Sequence, residues 1–457
     1  MVHQLILAKY SIHTANQIYM NDYDDPEAAS QRLMQNVAYD EKVMSQKRNQ
    51  ILATLYLTYA GFYLSRKADS VVKSSLHELE GFTVEDLALG DTVYLLVYTV
   101  FLAFSGVFGD AIPSNKLLSG ALVCLSMMSY LKSRVTSPFW FVSYQVLHAV
   151  FQSAGWPTCI KLIGVWVTQN RGLVMGFWTT CQSVGGILGA LWATYMITHY
   201  SWHFAYLYMI PLQLSLALLC YFTVEDDPSH DKQSDMDEND EAPERHHRPP
   251  AQEKVSVKEI LAIPGVLSIG IAYFFLKFLR YALLMWLPYY YEEGLSFDAA
   301  TAGYISTSFE MGGMIGTPLI GWFSDKHMHG SRDLTCAVFL LGGGLMLVAC
   351  IVASHLGALY NAMSMFLVGI LVIGPDSILS GTIAQDLANA SGLGGKAMGT
   401  LAGLINSMGS FGSIFQSYAT AYISEIYGWE VLFTVFVVSA GLSSLILFRV
   451  YSSKVKI

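Results

Sequence analysis

Long runs of apolar residues, separated by short polar stretches, extend over most of this chain. Residues 334–354 hold no charged side chain over a length that spans a bilayer as a helix. Comparable stretches recur about twelve times and fall into two sets of six on either side of a hydrophilic segment. The pattern therefore predicts an all-α membrane protein with twelve transmembrane helices in two pseudo-symmetric six-helix bundles.

Four regions follow from this pattern. We expect an N-terminal tail at 1–49, a first bundle at 50–224, an acidic linker at 225–262, and a second bundle with a short tail at 263–457. The stretch from Glu78 to Asp91 is predicted to be the first loop. The predicted helices lie near 51–67 with an extension toward 76, 92–109, 115–134, 139–163, 172–198, 203–223, 264–291, 299–323, 334–354, 358–384, 397–424 and 431–449.

Composition agrees with a membrane protein and excludes several other classes. Hydrophobic residues make up 53% of the chain and charged residues 13%. The six cysteines lie in apolar stretches without metal-ligand spacing, which predicts buried free thiols and no metal site. Gly394-Gly-Lys396 lacks the upstream glycine and following hydroxyl of a phosphate-binding loop. We therefore predict no cofactor, no nucleic-acid partner and no enzyme activity.

The linker and the basic residues predict an orientation. Acids crowd the segment from Glu225 to Glu244, so we expect it to be disordered and to pack against neither half. Lysine and arginine concentrate in the tails, the linker and alternate loops, while the opposite side keeps mainly Lys73, Lys132 and Arg134. This asymmetry predicts cytosolic termini. Residues 1–49 show no signal-peptide pattern, so the first helix is expected to direct insertion.

Two arginines lie inside apolar helices, one in each half. Arg66 follows the run that begins at Leu57, and Arg280 is followed by apolar residues as far as Pro288. A cation at mid-bilayer costs about 2.5–3.5 kcal/mol on insertion scales, so such a residue usually faces a bundle interior or a cavity. The alternative is that both side chains extend to lipid headgroups. We predict an anion-binding site at the midplane.

Corresponding positions indicate an internal duplication. Gly106-Val-Phe-Gly-Asp110 ends the second helix of the first half, and Gly321-Trp-Phe-Ser-Asp325 ends the second helix of the other. Each half carries an arginine in its first helix. Duplicated transporters place their binding site between the repeats, near the bilayer midplane.

Several motifs together resemble one family. They are Tyr63-Leu-Ser-Arg66-Lys67, Gly155-Trp156-Pro157, Arg171-Gly-Leu-Val-Met-Gly-Phe-Trp178, Ser183-Val-Gly-Gly186, Trp286-Leu-Pro288 and Gly374-Pro375. Over about residues 50 to 450 the chain resembles the organophosphate:phosphate antiporters of the major facilitator superfamily, and among them the eukaryotic sugar-phosphate exchangers.

The resemblance implies a function and a cellular membrane in which it is carried out. It implies exchange of a phosphorylated sugar or glycerol phosphate for inorganic phosphate by alternating access, in a monomer within the endoplasmic reticulum membrane. A basic residue from helix 1 and one from helix 7 would hold the phosphoryl group, which by position are Arg66 and Arg280. A guanidinium suits this role because its planar fork of donors binds phosphate through paired hydrogen bonds.

The chain departs from the bacterial members of that family. Gln182 stands where they carry a histidine in helix 5, and an apolar residue near Leu102 replaces a lysine in helix 2. Several of the closer eukaryotic exchangers lack a cation at the position of Arg280. Two-cation phosphate binding is therefore supported here by the residues themselves.

The remaining polar residues leave alternatives open. Lys67 either binds phosphate or lines the outer vestibule, and Lys277 either faces the same cavity or pairs with an acid. Tyr63, Tyr281 and Gln182 are candidates to contact the sugar, and so are Trp156 and Trp178, unless these side chains only pack. Lys161 is expected to be an interface anchor.

Two acids in apolar stretches set up the rival hypotheses. Glu310 and Asp376 are either structural ion-pair partners or a proton-coupling path. The second role would make the protein a proton-coupled organic-anion symporter of the same fold. A third hypothesis is a transport-inactive scaffold or sensor that acts through its acidic linker.

Overall fold

The computed structural model describes residues 26–167, 171–226, 257–391 and 395–455, and these residues form helices without any strand. The N-terminal half contains α1 (Pro26–Glu80), α2 (Val84–Ala111), α3 (Ser114–Lys132), α4 (Pro138–Ser153), α5 (Gly155–Trp166), α6 (Arg171–Thr179), α7 (Cys181–His199), α8 (Trp202–Leu207) and α9 (Met209–Thr223).

The C-terminal half repeats this plan. Its helices are α10 (Val257–Leu261), α11 (Val266–Tyr289), α12 (Ala299–His327), α13 (Arg332–Ala353), α14 (Ala358–Ser377), α15 (Ile383–Ala390), α16 (Gly395–Tyr427) and α17 (Trp429–Val455). A π-helical turn follows α11 at Tyr290–Gly294, and another joins α14 to α15 at Ile378–Thr382.

Single residues interrupt three of the long helices. Ala154 separates α4 from α5, Thr180 separates α6 from α7, and Tyr208 separates α8 from α9. When these pieces are joined, the described residues form six long helical stretches in each half, with the short α10 apart. This agrees with the six long helices that the hydropathy pattern predicted for each half.

Five helical segments in the described part of the chain are long and apolar enough to cross a membrane by length and composition. They are Trp202–Thr223, Val266–Gly294, Arg332–Val352, Ala358–Ser380 and Trp429–Ser453. The remaining stretches contain charged residues or single-residue breaks. The crossing of the membrane by all twelve stretches stays a prediction.

The helix contacts show the internal symmetry directly. Within the first half α1 packs on α7, α2 on α4 and α3 on α9, and within the second half α11 packs on α16, α12 on α14 and α13 on α17. The halves meet through α1 with α11, α2 with α16, and α7 with α12. Exchanging the halves maps each contact within one half onto its counterpart in the other, and it maps α2–α16 onto α7–α12 and α1–α11 onto itself. This confirms the predicted pseudo-symmetry.

The first helix is longer than predicted. α1 continues to Glu80 and α2 begins at Val84, so the loop predicted from Glu78 to Asp91 is wrong. Asp91 lies inside α2, where its carboxylate is buried and pairs with Lys73. An acid that has a buried basic partner does not mark a loop, because the pair removes the net charge that would expel it from the bundle.

The ends of the linker also differ from the prediction. Asp226 accepts a hydrogen bond from the backbone N–H of Ser114 at 2.8 Å, and Glu225 forms an ion pair with Lys47 at 2.6 Å. Ile260 of α10 is buried. The expectation that the linker packs against neither half is therefore wrong at both ends, while its acidic centre lies outside the described residues.

Glycines let the helices approach closely. Gly185 of α7 lies directly against the backbone carbonyl of Ala60 in α1, and a β-carbon at this position would overlap that carbonyl. Gly120 of α3 has no atom near its missing β-carbon. Packing of small residues replaces the hydrophobic driving force that helices lack in lipid.

We expect Gly185→Ala to destabilise the protein by about 1–3 kcal/mol, because the methyl group forces α1 and α7 apart. The measurement is the thermal denaturation of the purified protein in detergent, followed by size-exclusion chromatography. Gly120→Ala is the matched control and should leave stability unchanged. Equal behaviour of the two variants would contradict the close α1–α7 contact.

Candidate functional site between the two halves

Arg66 lies at the centre of the interface between the halves, and tyrosines surround its guanidinium. Its Cζ atom is 5.6 Å from the ring centre of Tyr63, 5.3 Å from Tyr94, 5.9 Å from Tyr98 and 5.4 Å from Tyr281. Only 8% of the Arg66 residue is exposed. The aromatic faces stabilise the positive charge without using its hydrogen-bond donors.

Two of these donors have no partner. The Nε and Nη2 atoms of Arg66 are buried and donate no hydrogen bond within the part of the chain that the structure describes. A buried donor without an acceptor is costly, and more so when it is charged. The arrangement is therefore suited to an anion that accepts both hydrogen bonds.

The ring around Arg66 comes from both halves. Tyr63 lies on α1 and donates a hydrogen bond to Oε1 of Gln182 on α7, at 3.0 Å. Tyr281 belongs to α11 of the other half, and its ring centre is 5.9 Å from Cζ of Arg280. Tyr63 and Tyr281 are thus brought next to Arg66, and Gln182 and Arg280 each contact one of these two tyrosines.

Arg280 is not free, unlike Arg66. It forms an ion pair with Asp376 of α14, immediately after Gly374-Pro375. This geometry fits the ion-pair interpretation of Asp376, and it means that Arg280 is not an unpaired cation. A carboxylate beside a guanidinium leaves the pair without net charge, which offsets part of the cost of burying each group.

Lys277 lies beside an aromatic ring, whereas Arg280 lies beside a carboxylate. Its Nζ atom lies 4.7 Å from the ring centre of Tyr273, and the residue is 9% exposed. No carboxylate among the described residues lies within ion-pair distance of it, so the acid partner favoured by the sequence is not found. Lys277 precedes Tyr281 by four residues, about one turn of α11, so the two side chains lie on the same helix face. Lys277 therefore adds its charge to the same region.

Lys67 reaches across the interface from α1. Its Nζ atom lies 3.4 Å from Oε1 of Glu310 on α12 and donates a hydrogen bond of 2.7 Å to the carbonyl of Leu284 on α11. That carbonyl is available because Pro288, four residues later, has no N–H to donate. Lys67 therefore joins the two halves, a role that neither predicted alternative described.

Gly186 of α7 makes room for Glu310. A β-carbon at Gly186 would overlap the carboxylate, which lies directly against the glycine. Both carboxylate oxygens of Glu310 accept no hydrogen bond from the described residues, although Lys67 is within ion-pair distance. The two opposite charges attract each other at 3.4 Å even without a well-aligned hydrogen bond.

A buried polar network in the first half was missed by the sequence analysis. Asp69 accepts hydrogen bonds from Lys132 at 2.7 Å, Tyr206 at 2.8 Å and Gln145 at 3.3 Å. The Nδ1 atom of His148 lies 3.6 Å from the same carboxylate. Asp69 lies three residues after Arg66, close to the same helix face, and this spacing was the signal that could have identified it.

Lys73 extends the network toward the second half. It pairs with Asp91, donates to the carbonyl of Met285 at 3.1 Å and lies 3.8 Å from the ring centre of Trp286. The sequence analysis counted Lys73 and Lys132 among the bases of the non-cytosolic side, but both are buried in the helix bundle. Of these three bases, Arg134 is the exposed one.

A small cavity adjoins Arg66, Lys67, Asp69, Asp91 and Glu310. The space open to the centre of a water molecule is about 20 Å³, which accommodates about one water. A sugar phosphate is far larger, so the halves must separate before such a ligand enters. The bonds from Lys67 and Lys73 to α11 hold the halves together on the side of Arg66 that leads toward the C-terminus of α1.

The other residues singled out by sequence lie away from this cavity. Trp156, Trp178 and Tyr59 pack against one another with ring centres 5.3 to 5.5 Å apart. Lys161 lies 3.9 Å from Asp226, at the start of the linker. The packing interpretation fits the two tryptophans better than sugar contact.

The fold and the site together define a class. Two related helical bundles that enclose a buried cation at their interface are the architecture of a secondary membrane carrier. The sequence matches the model of the Major Facilitator Superfamily over residues 55–417, and the chain belongs to that superfamily.

Two relatives of known name are similar to this chain over most of its length. The chain is 26% identical to the "Glucose-6-phosphate exchanger SLC37A2" of Xenopus tropicalis, over 93% of this chain and 96% of that protein. It is 27% identical to "Sugar phosphate exchanger 3" of Bos taurus, over 77% of each chain. The resemblance to sugar-phosphate exchangers is confirmed.

A solved structure supports the fold independently. A bacterial homologue of the human lysosomal transporter Spinster, in an inward-facing and occupied conformation, has a TM-score of 0.67 with this chain. The alignment covers 89% of this chain and 97% of that one at 14% identity. At this identity the likeness concerns the fold alone.

We expect Asp69→Asn to destabilise the protein by about 3–5 kcal/mol, because it leaves Lys132 as a buried cation without its carboxylate. Thermal denaturation of the purified protein in detergent measures the effect. Glu85→Gln, which removes an exposed acid of α2, is the control and should have little effect. Adding Lys132→Met to Asp69→Asn should recover part of the loss. Unchanged stability in Asp69→Asn would contradict a buried ionic network.

Proposed function

We propose that this protein exchanges a phosphorylated sugar for inorganic phosphate by alternating access. The observation that carries the proposal is the buried guanidinium of Arg66, which presents two unpartnered donors at the interface of the halves. The names of its relatives, a glucose-6-phosphate exchanger and a sugar phosphate exchanger, support this substrate class.

The chemistry of the site favours a phosphoryl group. A guanidinium binds two oxygens of one phosphate in parallel, and its charge persists at every physiological pH. The surrounding tyrosine rings exclude water, which strengthens the charge-assisted hydrogen bonds. Tyr63 and Tyr281 bring hydroxyl groups from opposite halves, and Gln182 adds an amide, so that a sugar bound beside the phosphate would meet polar partners.

Lysines and the second arginine complete the proposed site. Lys277 and Arg280 supply positive charge from α11, the second of them shared with Asp376. Lys67 is freed for ligand when its bonds to Glu310 and Leu284 break. In this scheme the phosphate bridges α1 and α11, and its different affinity for the open and closed arrangements moves the halves.

We extend the proposal to the orientation of the protein, its membrane, its oligomeric state and its counter-substrate. We place both termini in the cytosol, since the burial of Lys73 and Lys132 increases the asymmetry of exposed basic residues. The proposed membrane is that of the endoplasmic reticulum, on the family resemblance. We further propose that the monomer is the functional unit and that inorganic phosphate is the counter-substrate.

We expect Arg66→Lys to lower exchange at least about 100-fold while the protein still folds, because an ammonium keeps the charge but loses the paired hydrogen bonds. The measurement is uptake of labelled glucose 6-phosphate into phosphate-loaded proteoliposomes. Arg134→Lys is the matched control, since Arg134 is exposed, and it should exchange normally.

The same assay separates the rival functions. Uptake that needs a pH gradient but no internal phosphate would instead support proton-coupled symport. Near-normal exchange by a well-folded Arg66→Ala variant would overturn the phosphate site, and no transport by the wild-type protein would favour the scaffold hypothesis.

A further inference from the structure

The charges in and around the cavity do not cancel. Each of four buried carboxylates is paired with one cation: Glu310 with Lys67, Asp91 with Lys73, Asp69 with Lys132, and Asp376 with Arg280. Two further cations, Arg66 and Lys277, have no carboxylate partner among the described residues. With His148 counted as neutral, the interface carries an excess of two positive charges.

The two excess charges belong to opposite halves. Arg66 lies on α1 with its Cζ atom 5.4 Å from the ring centre of Tyr281, and Lys277 precedes Tyr281 by four residues on the same face of α11. Each is at least nine-tenths buried. Charges in such surroundings are weakly screened, so a ligand that leaves the interface far from neutral binds poorly.

Asp376 decides how large this excess is. It is the carboxylate that neutralises Arg280, and its second oxygen, Oδ1, has no hydrogen-bond partner among the described residues. Without Asp376 the interface would hold three unpaired cations. The other three carboxylates of this set cannot replace it, because each already has its own lysine.

We propose that Asp376 is a specificity-determining residue, which sets the site for dianionic phosphate monoesters and against trianionic phosphorylated carboxylates. This inference rests on the proposed function. Asp376 acts through Arg280 and need not touch the substrate, so it is a positioning and charge-setting residue.

The test compares two substrates in phosphate-loaded proteoliposomes, at a pH where both are fully ionised. Wild-type protein should take up glucose 6-phosphate, a dianion, in preference to 3-phosphoglycerate, a trianion. Asp376→Asn keeps the shape of the side chain but adds one net positive charge. It should shift the ratio of uptake toward 3-phosphoglycerate by about tenfold or more.

Two further variants make the result specific. Asp386→Asn removes an acid that pairs with Arg332 at 2.7 Å on the exposed part of the same half, and it should keep the wild-type ratio. Arg280→Gln combined with Asp376→Asn restores the excess of two charges. It should return the ratio toward wild type even if total uptake falls.

The outcomes separate this inference from the proposed function. If the wild-type protein exchanges phosphate and glucose 6-phosphate but Asp376→Asn keeps the same ratio, charge setting by Asp376 is overturned and exchange stands. The same conclusion follows if Asp386→Asn shifts the ratio equally. If the wild-type protein exchanges neither substrate, the proposed function itself fails. Phosphate–phosphate exchange by each variant shows that it is folded.

Discussion

A permanently charged guanidinium in the middle of an apolar helix is the constraint on which this structure depends. Arg66 cannot lose its proton, so the bundle must stabilise it or deliver an anion to it. The surrounding tyrosines stabilise the charge, since their ring faces attract a cation and leave its hydrogen-bond donors free. Tyr281 comes from the opposite half, and the site therefore exists only where the two bundles meet.

The other buried charges are arranged around this one. Lys67 and Lys73 extend from α1 to carbonyls of α11, and the loss of an N–H at Pro288 makes the first of these carbonyls available. Such bonds close one end of the interface at little cost, because they can be exchanged for water when the halves separate. A carrier that alternates between two arrangements needs contacts of this kind, which are specific but replaceable.

The sequence predicted the repeated architecture and the central arginine, because long apolar runs and an isolated intramembrane cation are properties of single segments. The partners were harder to predict. Asp69 and Lys132 are 63 residues apart, and Arg280 and Asp376 are 96 residues apart, so only the folded bundle brings them together. Hydropathy also penalises each charge separately, which is why Asp91 was placed in a loop although its pairing with Lys73 makes burial acceptable.

The most direct test of the account is a double-mutant cycle on binding of inorganic phosphate to the purified protein in detergent, by isothermal titration calorimetry. It compares Arg66→Gln, Lys277→Gln and the two changes combined. If one phosphate bridges the halves, each single change should cost nearly as much affinity as both together, since the two residues act as one unit. If the two losses simply add, or if Arg66→Gln binds phosphate like the wild-type protein, the unpaired cations do not share a ligand and the central claim is contradicted.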